Sequence, residues 1–505
     1  MANEQKVVQS SANEPVRLLP NQPIILTDDT DFFNTIPKGN TIVNFIKAYT
    51  TSLENNKLLA LYGDWGSGKT SLIDYISDQL NLPQDDIPSE FVTIYFETWK
   101  YEKDDNLALS LVDVILENIK DKSRKTISEF KKAGFCLLKS FAKSISFNIP
   151  YVNFDAGKAI NSLEKEFNRV KKEKSFHQKM EDFEKSYKKI ENEILGKDKK
   201  HIIIFIDDLD RCEPENILNL LTALKHFFSL GEKTLFFCGI DKDAVTKAVK
   251  HKYQDIVKSE EYLEKVFDIS FNMPTILDLK KLITYYFDDE YVNLIQNYLH
   301  AINFTNPRHL KKLFNKYLYL KFVKESGIDT EKLIPDFGNG NSLNIIFVIH
   351  FIILYEFEKK IFIKLKDFDK RMKQLRDNIK KDYYERNSVM RSLPKPDFHL
   401  IIPKANLELS KIRMGSKGNT ALYIHFLLTI PEKSFPSPLD NVLDNDSLDS
   451  YLNYIDNFRS DNGIQINFVR FLVKNNPIFK TDNKLETTDT YYQIMSLFQM
   501  AEKYL

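Results

Sequence analysis

Short, mostly apolar runs alternate with segments of helical periodicity through roughly the first half of the chain. Such runs are typical of strands buried on both faces, and they cover residues 58–62, 91–96, 201–206 and 234–239, with a further strand predicted at 265–271. Apolar residues recur at helical spacing in segments 41–53, 71–80, 107–119 and 215–230. This alternation predicts a three-layer α/β fold, with a parallel sheet, helices on both faces and a ligand at the carboxyl ends of the strands.

The second part of the chain has helical periodicity only. We expect residues 1–20 to be disordered or arm-like, 21–275 to form a core, 276–330 a helical lid and 331–505 a mostly α-helical domain. The most apolar run, residues 343–355, is too short to cross a bilayer, so we expect a buried helix and no membrane span. Because no catalytic arrangement of side chains stands out after residue 330, we interpret 331–505 as an assembly domain or a docking domain for an effector protein.

A glycine-rich segment with the spacing G-x-x-x-x-G-K-[ST] lies between the first predicted strand and a predicted helix. Glycine lets backbone N–H groups approach an anion, and the first turn of a helix offers unpaired N–H groups to phosphate oxygens. We expect Lys69 to reach the β- and γ-phosphates of a nucleotide, and the Thr70 hydroxyl to bind Mg²⁺. The predicted phosphate-binding residues are Gly63, Asp64, Trp65, Gly66, Ser67, Gly68, Lys69, Thr70 and Ser71.

Carboxylates follow two of the predicted strands directly. We assign Asp207 to Mg²⁺ and Asp208 to the attacking water as a catalytic residue, because a phosphate-transfer site needs both functions. Arg211, a further catalytic candidate, either forms a structural ion pair with Asp210 or contacts a neighbouring site. Asp241 follows the next strand and is expected near the γ-phosphate end of the site.

Two further residues are candidates for this crevice. Trp99, at the carboxyl end of a predicted strand, lies either near the nucleotide or in the packed interior. Asn306 and Pro307 predict the start of a helix, which places Arg308 in its first turn. A cation there opposes the helix dipole, and on this ground together with a family resemblance we favour a catalytic contact with phosphate over a solvated surface arginine.

Composition adds little to the assignment of function. The 505 residues carry no net formal charge, which gives no hint of a polyanionic partner for the whole chain. Residues 120–200 are nevertheless rich in lysine and helix-patterned. This basic insertion either meets nucleic acid or a protein partner, or is simply a solvated helical face.

The three cysteines are too few and too widely spaced for a disulfide framework, and the nine histidines form no metal-ligand pattern. The polar N-terminus lacks the apolar stretch of a signal peptide. Together these features favour a cytoplasmic location.

The combination of motifs resembles the KAP-type P-loop NTPases. The resemblance rests on residues 63–70, 96–101, 206–214, 237–241, 262–265 and 306–308, and covers roughly residues 20 to 325. It implies an ASCE-type ATPase fold, with an added strand between the glycine-loop strand and the Mg²⁺ strand, and ATP rather than GTP as the nucleotide. It also implies a lid that supplies a sensor arginine, here Arg308. Many members have transmembrane helices where this chain has its basic insertion, and soluble bacterial members are similar to proteins that block bacteriophage.

We therefore expect a Mg²⁺-dependent ATPase that self-associates, with neighbouring subunits completing the site, and a role in antiviral defence. Two alternatives remain at this stage. One is a nucleotide-dependent assembly switch with little turnover. The other is a motor or sensor stimulated by nucleic acid through residues 120–200.

Overall fold

A computed structural model describes the chain over much of its length. The described residues are 18–49, 56–83, 88–104, 106–119, 124–146, 174–253, 256–275, 277–335, 342–363, 366, 464, 467–468, 471 and 487–505. Most of the predicted arm 1–20, the middle of the basic insertion and most of the predicted domain 331–505 therefore lie outside the described residues.

Five parallel strands form the central sheet. They are β1 (Leu58–Tyr62), β2 (Phe91–Glu97), β3 (His201–Asp207), β4 (Thr234–Ile240) and β5 (Ile269–Asn272), in the spatial order β2-β3-β4-β1-β5. Strand β4 thus lies between the glycine-loop strand β1 and the aspartate strand β3, which confirms the added strand that the resemblance implied. The α/β fold predicted from the alternating pattern is also confirmed.

Both faces of the sheet are buried. Alternate residues of each strand point to opposite faces, so neighbouring residues enter different apolar clusters. Leu58 and Ala60 belong to one apolar cluster, whereas Leu59 and Leu61 belong to the other. The second cluster is formed with helices α1 (Ile36–Tyr49) and α2 (Lys69–Asn81). The first is formed with α3 (Leu107–Glu117), α4 (Arg124–Ser146), α5 (Phe176–Leu195), α6 (Pro214–His226), α7 (Lys242–Tyr253) and α8 (Ile256–Val266). The continuous apolar strands are thus explained by helices that cover both faces.

Helices α4 and α5, on either side of the undescribed middle of the basic insertion, pack into this core. The rings of Phe130 in α4 and Phe183 in α5 stack with centroids 5.3 Å apart, and Tyr187 lies 5.4 Å from Phe130. Lysines on the outer surface of these helices pair with acids, as Lys131 does with Asp113 at 2.7 Å. The lysine excess is therefore partly neutralised in the described part of the insertion.

Strand β5 begins at Ile269, later than the start of the strand predicted at residues 265–271. Helix α8 continues to Val266, because Leu263 and Val266 are buried on one helical face and Lys265 pairs with Glu261 one turn earlier. The segment 265–271 therefore combines the last turn of a helix with a short strand. Its sequence pattern alone does not separate these two elements.

The chain divides into two compact units, residues 22–278 and residues 1–21 with 279–505. The described helices of the second unit are α9 (Lys280–Tyr286), α10 (Asp289–Ala301), α11 (Pro307–Glu325), α12 (Ser342–Glu356) and α13 (Thr487–Tyr504). Residues 345, 346 and 348–354 of helix α12 are buried, and His350 among them bonds the Tyr298 hydroxyl at 2.8 Å. Among the described helices, none has the length and apolar character needed to cross a bilayer.

Candidate functional site

The glycine loop runs from the end of β1 to the start of α2. The Gly63 N–H donates to the Ile240 carbonyl oxygen of β4 at 3.1 Å, which fixes the entry to the loop. Gly66 and Gly68 adopt φ angles of 82° and 96°, in the left-handed region that favours glycine. The loop conformation therefore depends on these two glycines, and it ends at the first turn of a helix, where N–H groups are unpaired.

Lys69 is buried, and its side chain folds back over the loop. Its Nζ donates to the carbonyl oxygens of Gly63 at 2.8 Å and Asp64 at 3.1 Å. An ammonium group has three N–H donors, so these two contacts leave one donor available to a phosphate oxygen. The lysine thus stabilises the loop while holding a positive charge at its centre.

Ser67 supplies a polar atom that the described residues do not satisfy. Its Oγ is buried and has no hydrogen-bond partner among them. A Cβ added to Gly63 would lie 2.6 Å from this Oγ and 2.6 Å from Cγ of Met273, so glycine keeps the space beside the hydroxyl open. A buried hydroxyl beside unpaired N–H groups and a lysine fits an anion such as a triphosphate.

Thr70 and Ser71 have different surroundings, although both lie in the first turn of α2. The Ser71 hydroxyl oxygen accepts a hydrogen bond from the Ile24 N–H at 3.0 Å, so it anchors the segment that precedes α1. Thr70 is half-buried beside Lys69. The predicted contacts of Ser71 with phosphate and of Thr70 with Mg²⁺ stay predictions.

Asp207 ends β3 and is buried, with a side chain that extends across β4. A Cβ added to Gly239 of β4 would meet Asp207 Oδ1 and Cδ1 of Ile73 in α2, each at 2.8 Å. The missing side chain at Gly239 therefore lets the carboxylate approach the helix that carries Lys69 and Thr70. Mg²⁺ keeps several waters and phosphate ligands, so a pair of protein oxygens such as those of Asp207 and Thr70 fits it chemically. That the two residues share one Mg²⁺ ion stays a prediction.

The described residues contain no cluster of three or more His, Cys, Asp or Glu side chains able to hold a metal unaided.

Asp208 lies in a tight turn at the tip of β3, with φ at 58°. Its Oδ1 pairs with Arg211 Nη2 at 3.0 Å, and the guanidinium carbon lies 5.4 Å from the centre of the Trp99 ring. Burial raises the pKa of the Asp208 carboxyl, the nearby Asp207 raises it further, and Arg211 opposes both. Arg211 therefore pairs with Asp208, and not with Asp210 as one of the sequence interpretations had it.

Asp210 occupies a different environment, because residues 209–211 form a 3₁₀ turn. Burial raises the pKa of its carboxyl, and the positive charge of Lys69 is the strongest opposing influence, while Asp241 and Asp207 raise the pKa further. The charge of the loop lysine thus acts on Asp210, an influence that the sequence analysis missed. The position of Asp210 three residues after Asp207 carried no signal of it.

Asp241 links the glycine loop to helix α7. Its Oδ2 accepts the Trp65 N–H at 3.0 Å, and its Oδ1 accepts the N–H groups of Asp243 and Ala244 at 3.0 and 3.1 Å. The carboxylate therefore caps α7 and holds the loop. The predicted proximity of Asp241 to the γ-phosphate stays a prediction.

Two residues at the end of β2 also reach the site and were missed. The Thr98 hydroxyl, fully buried, donates to the Asp207 carbonyl oxygen at 2.8 Å, and Glu97 pairs in register with Asp207. The apolar run 91–96 predicted the strand, but only the strand order shows that it lies beside β3.

Arg308 belongs to the other unit of the chain, in the first turn of α11. The Asn306 side chain accepts the N–H groups of Arg308 and His309 at 3.1 and 3.3 Å, which agrees with the predicted N-cap. The contact of Arg308 with phosphate stays a prediction.

Comparison with known proteins relates this chain to a family of P-loop domains. Residues 39–321 match the model of the KAP family P-loop domain. The chain is 32% identical over 262 residues to an uncharacterized protein of Methanocaldococcus jannaschii, covering 48% of this chain and 100% of that protein. It is 26% identical over 250 residues to the phage T7 exclusion protein of Escherichia coli K12, covering 47% of this chain but 32% of that protein.

Two solved structures are similar at low scores. The Aeropyrum pernix ORC2 protein, in ADPNP and ADP complexes, has 10% identity and a TM-score of 0.28, with 59% of this chain and 68% of that chain covered. A Walker-type ATPase of Pyrococcus abyssi has 12% identity and a TM-score of 0.29, with 68% and 81% covered. Since both scores are below 0.5, the fold assignment rests on the observed strand order.

Filling the gap at Gly239 tests whether Asp207 and α2 share one cation. We expect Gly239→Ala to displace the carboxylate and weaken binding of a fluorescent ATP analogue by about tenfold in Mg²⁺, as for other changes that reorient a metal ligand. Binding in EDTA serves as the internal control and should change little. Equal weakening in both buffers would contradict a shared cation site, and thermal melting would exclude loss of the fold.

Proposed function

We propose that this chain, which belongs to the KAP family of P-loop domains, is a Mg²⁺-dependent ATPase. The observation that carries the proposal is the approach of the Asp207 carboxylate, across Gly239, to the helix that starts at Lys69. A triphosphate on the loop would then have its terminal phosphate between a lysine and two strand-end carboxylates. ATP, rather than GTP, is proposed from the resemblance to the family.

The residues of the loop would bind and orient the triphosphate. Backbone N–H groups of residues 64, 66 and 68–71 and the buried Ser67 hydroxyl would face its oxygens, because the N–H groups of Gly63, Trp65 and Ser67 donate within the protein. Lys69 would contact the β- and γ-phosphates. Thr70 and Asp207 would hold Mg²⁺, which when bound supplies neutralisation of charge on the phosphate oxygens. Asp241 would keep the loop in place through the Trp65 N–H.

Asp208 would orient the attacking water, since it is a carboxylate at the strand end with one oxygen paired to Arg211 and the other available. Asp210, on which the charge of Lys69 acts, would in turn set the charge around the lysine. Arg211 and Arg308 are the proposed cationic contributors, with Arg308 reaching a phosphate either in its own subunit or in a neighbour. Hydrolysis would drive a change in the helical unit, and an effector protein would dock on the carboxyl-terminal half.

A cytosolic role in defence against bacteriophage is also proposed. It is supported by the similarity to the phage T7 exclusion protein, although the match covers 32% of that protein. The three cysteines are free thiols in the structure, which is compatible with the cytosol.

Lys69→Ala and Asp208→Asn should separate binding from turnover. We expect Lys69→Ala to lose most affinity for ATP, and Asp208→Asn to keep the affinity while phosphate release falls by about 10²-fold or more. Equilibrium binding and steady-state phosphate release measure the two effects. Variants that hydrolyse ATP as fast as the parent protein would refute the assignment. Tight binding by a parent without turnover would favour an assembly switch.

Self-association predicts that inactive subunits rescue one another. If Arg308 completes a neighbour's site, Arg308→Ala should lower turnover by about 10³-fold, the usual contribution of an arginine supplied in trans. Mixing it with Lys69→Ala should then restore part of the activity. Lys321→Ala is the control, because Lys321 is an exposed cation on the same helix. A protein that stays monomeric with and without ATP in light scattering would contradict the proposal.

A further inference from the structure

We propose that Trp99 is a positioning residue, which acts on the carboxylate of Asp208 by holding the guanidinium group of Arg211. Its effect on turnover rests on the ATPase activity proposed above. The contact itself does not, and it can be measured in the absence of nucleotide.

Trp99 lies on a turn that is fixed on both sides. Thr98, immediately before it, is fully buried and bonded to the Asp207 carbonyl oxygen at 2.8 Å. Tyr101, two residues after it, stacks on Phe96 with ring centroids 5.2 Å apart. The turn is thereby anchored to the ends of both β2 and β3, the strand that carries the aspartates.

The Trp99 ring is not part of the packed interior, although its turn is anchored. The residue is 55% exposed, and its ring faces the Arg211 guanidinium at 5.4 Å. An indole face attracts a guanidinium both as a cation and by stacking, and the contact restricts a long side chain that otherwise samples many rotamers. The interpretation of Trp99 as a core residue is therefore replaced by one in which it holds Arg211.

Arg211 transmits this restraint to Asp208. Its Nη2 pairs with Asp208 Oδ1 at 3.0 Å, and its backbone N–H donates to the Asp208 carbonyl oxygen at 3.1 Å. The arginine thus holds Asp208 through both the side chain and the backbone of the turn. Because Oδ1 is occupied, the orientation of Oδ2 is set by the direction of the ion pair.

A carboxylate that orients water is sensitive to its position, since a misplacement of about 1 Å can cost 10²-fold in rate. Asp208 is partly exposed, and an unsupported ion pair there would contribute little. The aromatic face supplies the missing restraint. The chain of contacts from Trp99 through Arg211 to Asp208 therefore fixes the geometry of the carboxylate.

Steady-state kinetics of Trp99→Ala and Trp99→Phe in the full chain test the effect on turnover. We expect Trp99→Ala to lower kcat about two- to fivefold, the range expected for loss of an exposed cation–π contact. KM and nucleotide affinity should stay unchanged, and Trp99→Phe, which keeps an aromatic face, should restore most of the rate. A fall in affinity equal to the fall in kcat, or no difference between Ala and Phe, would overturn the proposal.

Tryptophan fluorescence tests the contact independently of turnover. The chain has two tryptophans, so Trp65→Phe leaves Trp99 as the only emitter. In that background, Arg211→Met should change the emission and its quenching by acrylamide. Asp208→Asn should change them in the same direction, because it releases the guanidinium. Emission that does not respond to Asp208→Asn would overturn the coupling, whether or not the protein hydrolyses ATP.

Subunit mixing separates this role from a contact with a neighbouring site. Arg211→Ala mixed with Lys69→Ala should give no more activity than the two variants measured apart, because Arg211 acts on Asp208 of its own chain. Restoration of activity would assign Arg211 to the neighbour's nucleotide and overturn the proposal. If the parent shows no turnover but the emission is coupled to Asp208, the ATPase proposal fails and the positioning contact stands.

Discussion

The parallel pairing of β4 with both β1 and β3 determines the geometry of this site. Tyr62 of β1 pairs with Ile240, and Ile206 of β3 pairs with Cys238, so the glycine loop and the aspartates leave the sheet at one edge. Gly239 lies between those two paired positions and has no side chain to separate Asp207 from α2. A single strand thus sets both the lateral spacing of the two motifs and the gap through which they meet.

Charge is distributed unevenly at this edge. Burial raises the pKa of both Asp208 and Asp210, and the charge of Asp207 raises both pKa values further. Two cations offset this repulsion: Arg211, which pairs with Asp208, and Lys69, whose charge acts on Asp210. A divalent cation brought by the proposed nucleotide would stabilise the ionised carboxylates further. Arg211 also holds the Asp208 side chain through its ion pair.

The sequence predicted the parts of the site that depend on backbone and spacing. The motif at residues 63–70 defines its loop because glycine conformation and a helix start are local properties, and Asp207 is defined by the end of an apolar strand. A 3₁₀ turn and the order of the strands determine the partner of Arg211, the surroundings of Asp210 and the contact of Thr98. No local sequence pattern encodes the turn or the strand order. The same limit explains why the start of β5 was predicted too early, because the segment predicted as a strand includes the end of α8.

The most direct test of the account is a crystal structure of the protein with a non-hydrolysable ATP analogue and Mn²⁺, with the metal located by anomalous scattering. The account predicts the triphosphate on residues 63–71, the γ-phosphate beside Lys69 and the metal bound by the Thr70 hydroxyl, with the Asp207 carboxylate reaching it directly or through water. A nucleotide bound elsewhere, or a metal that contacts neither Thr70 nor Asp207, would contradict it.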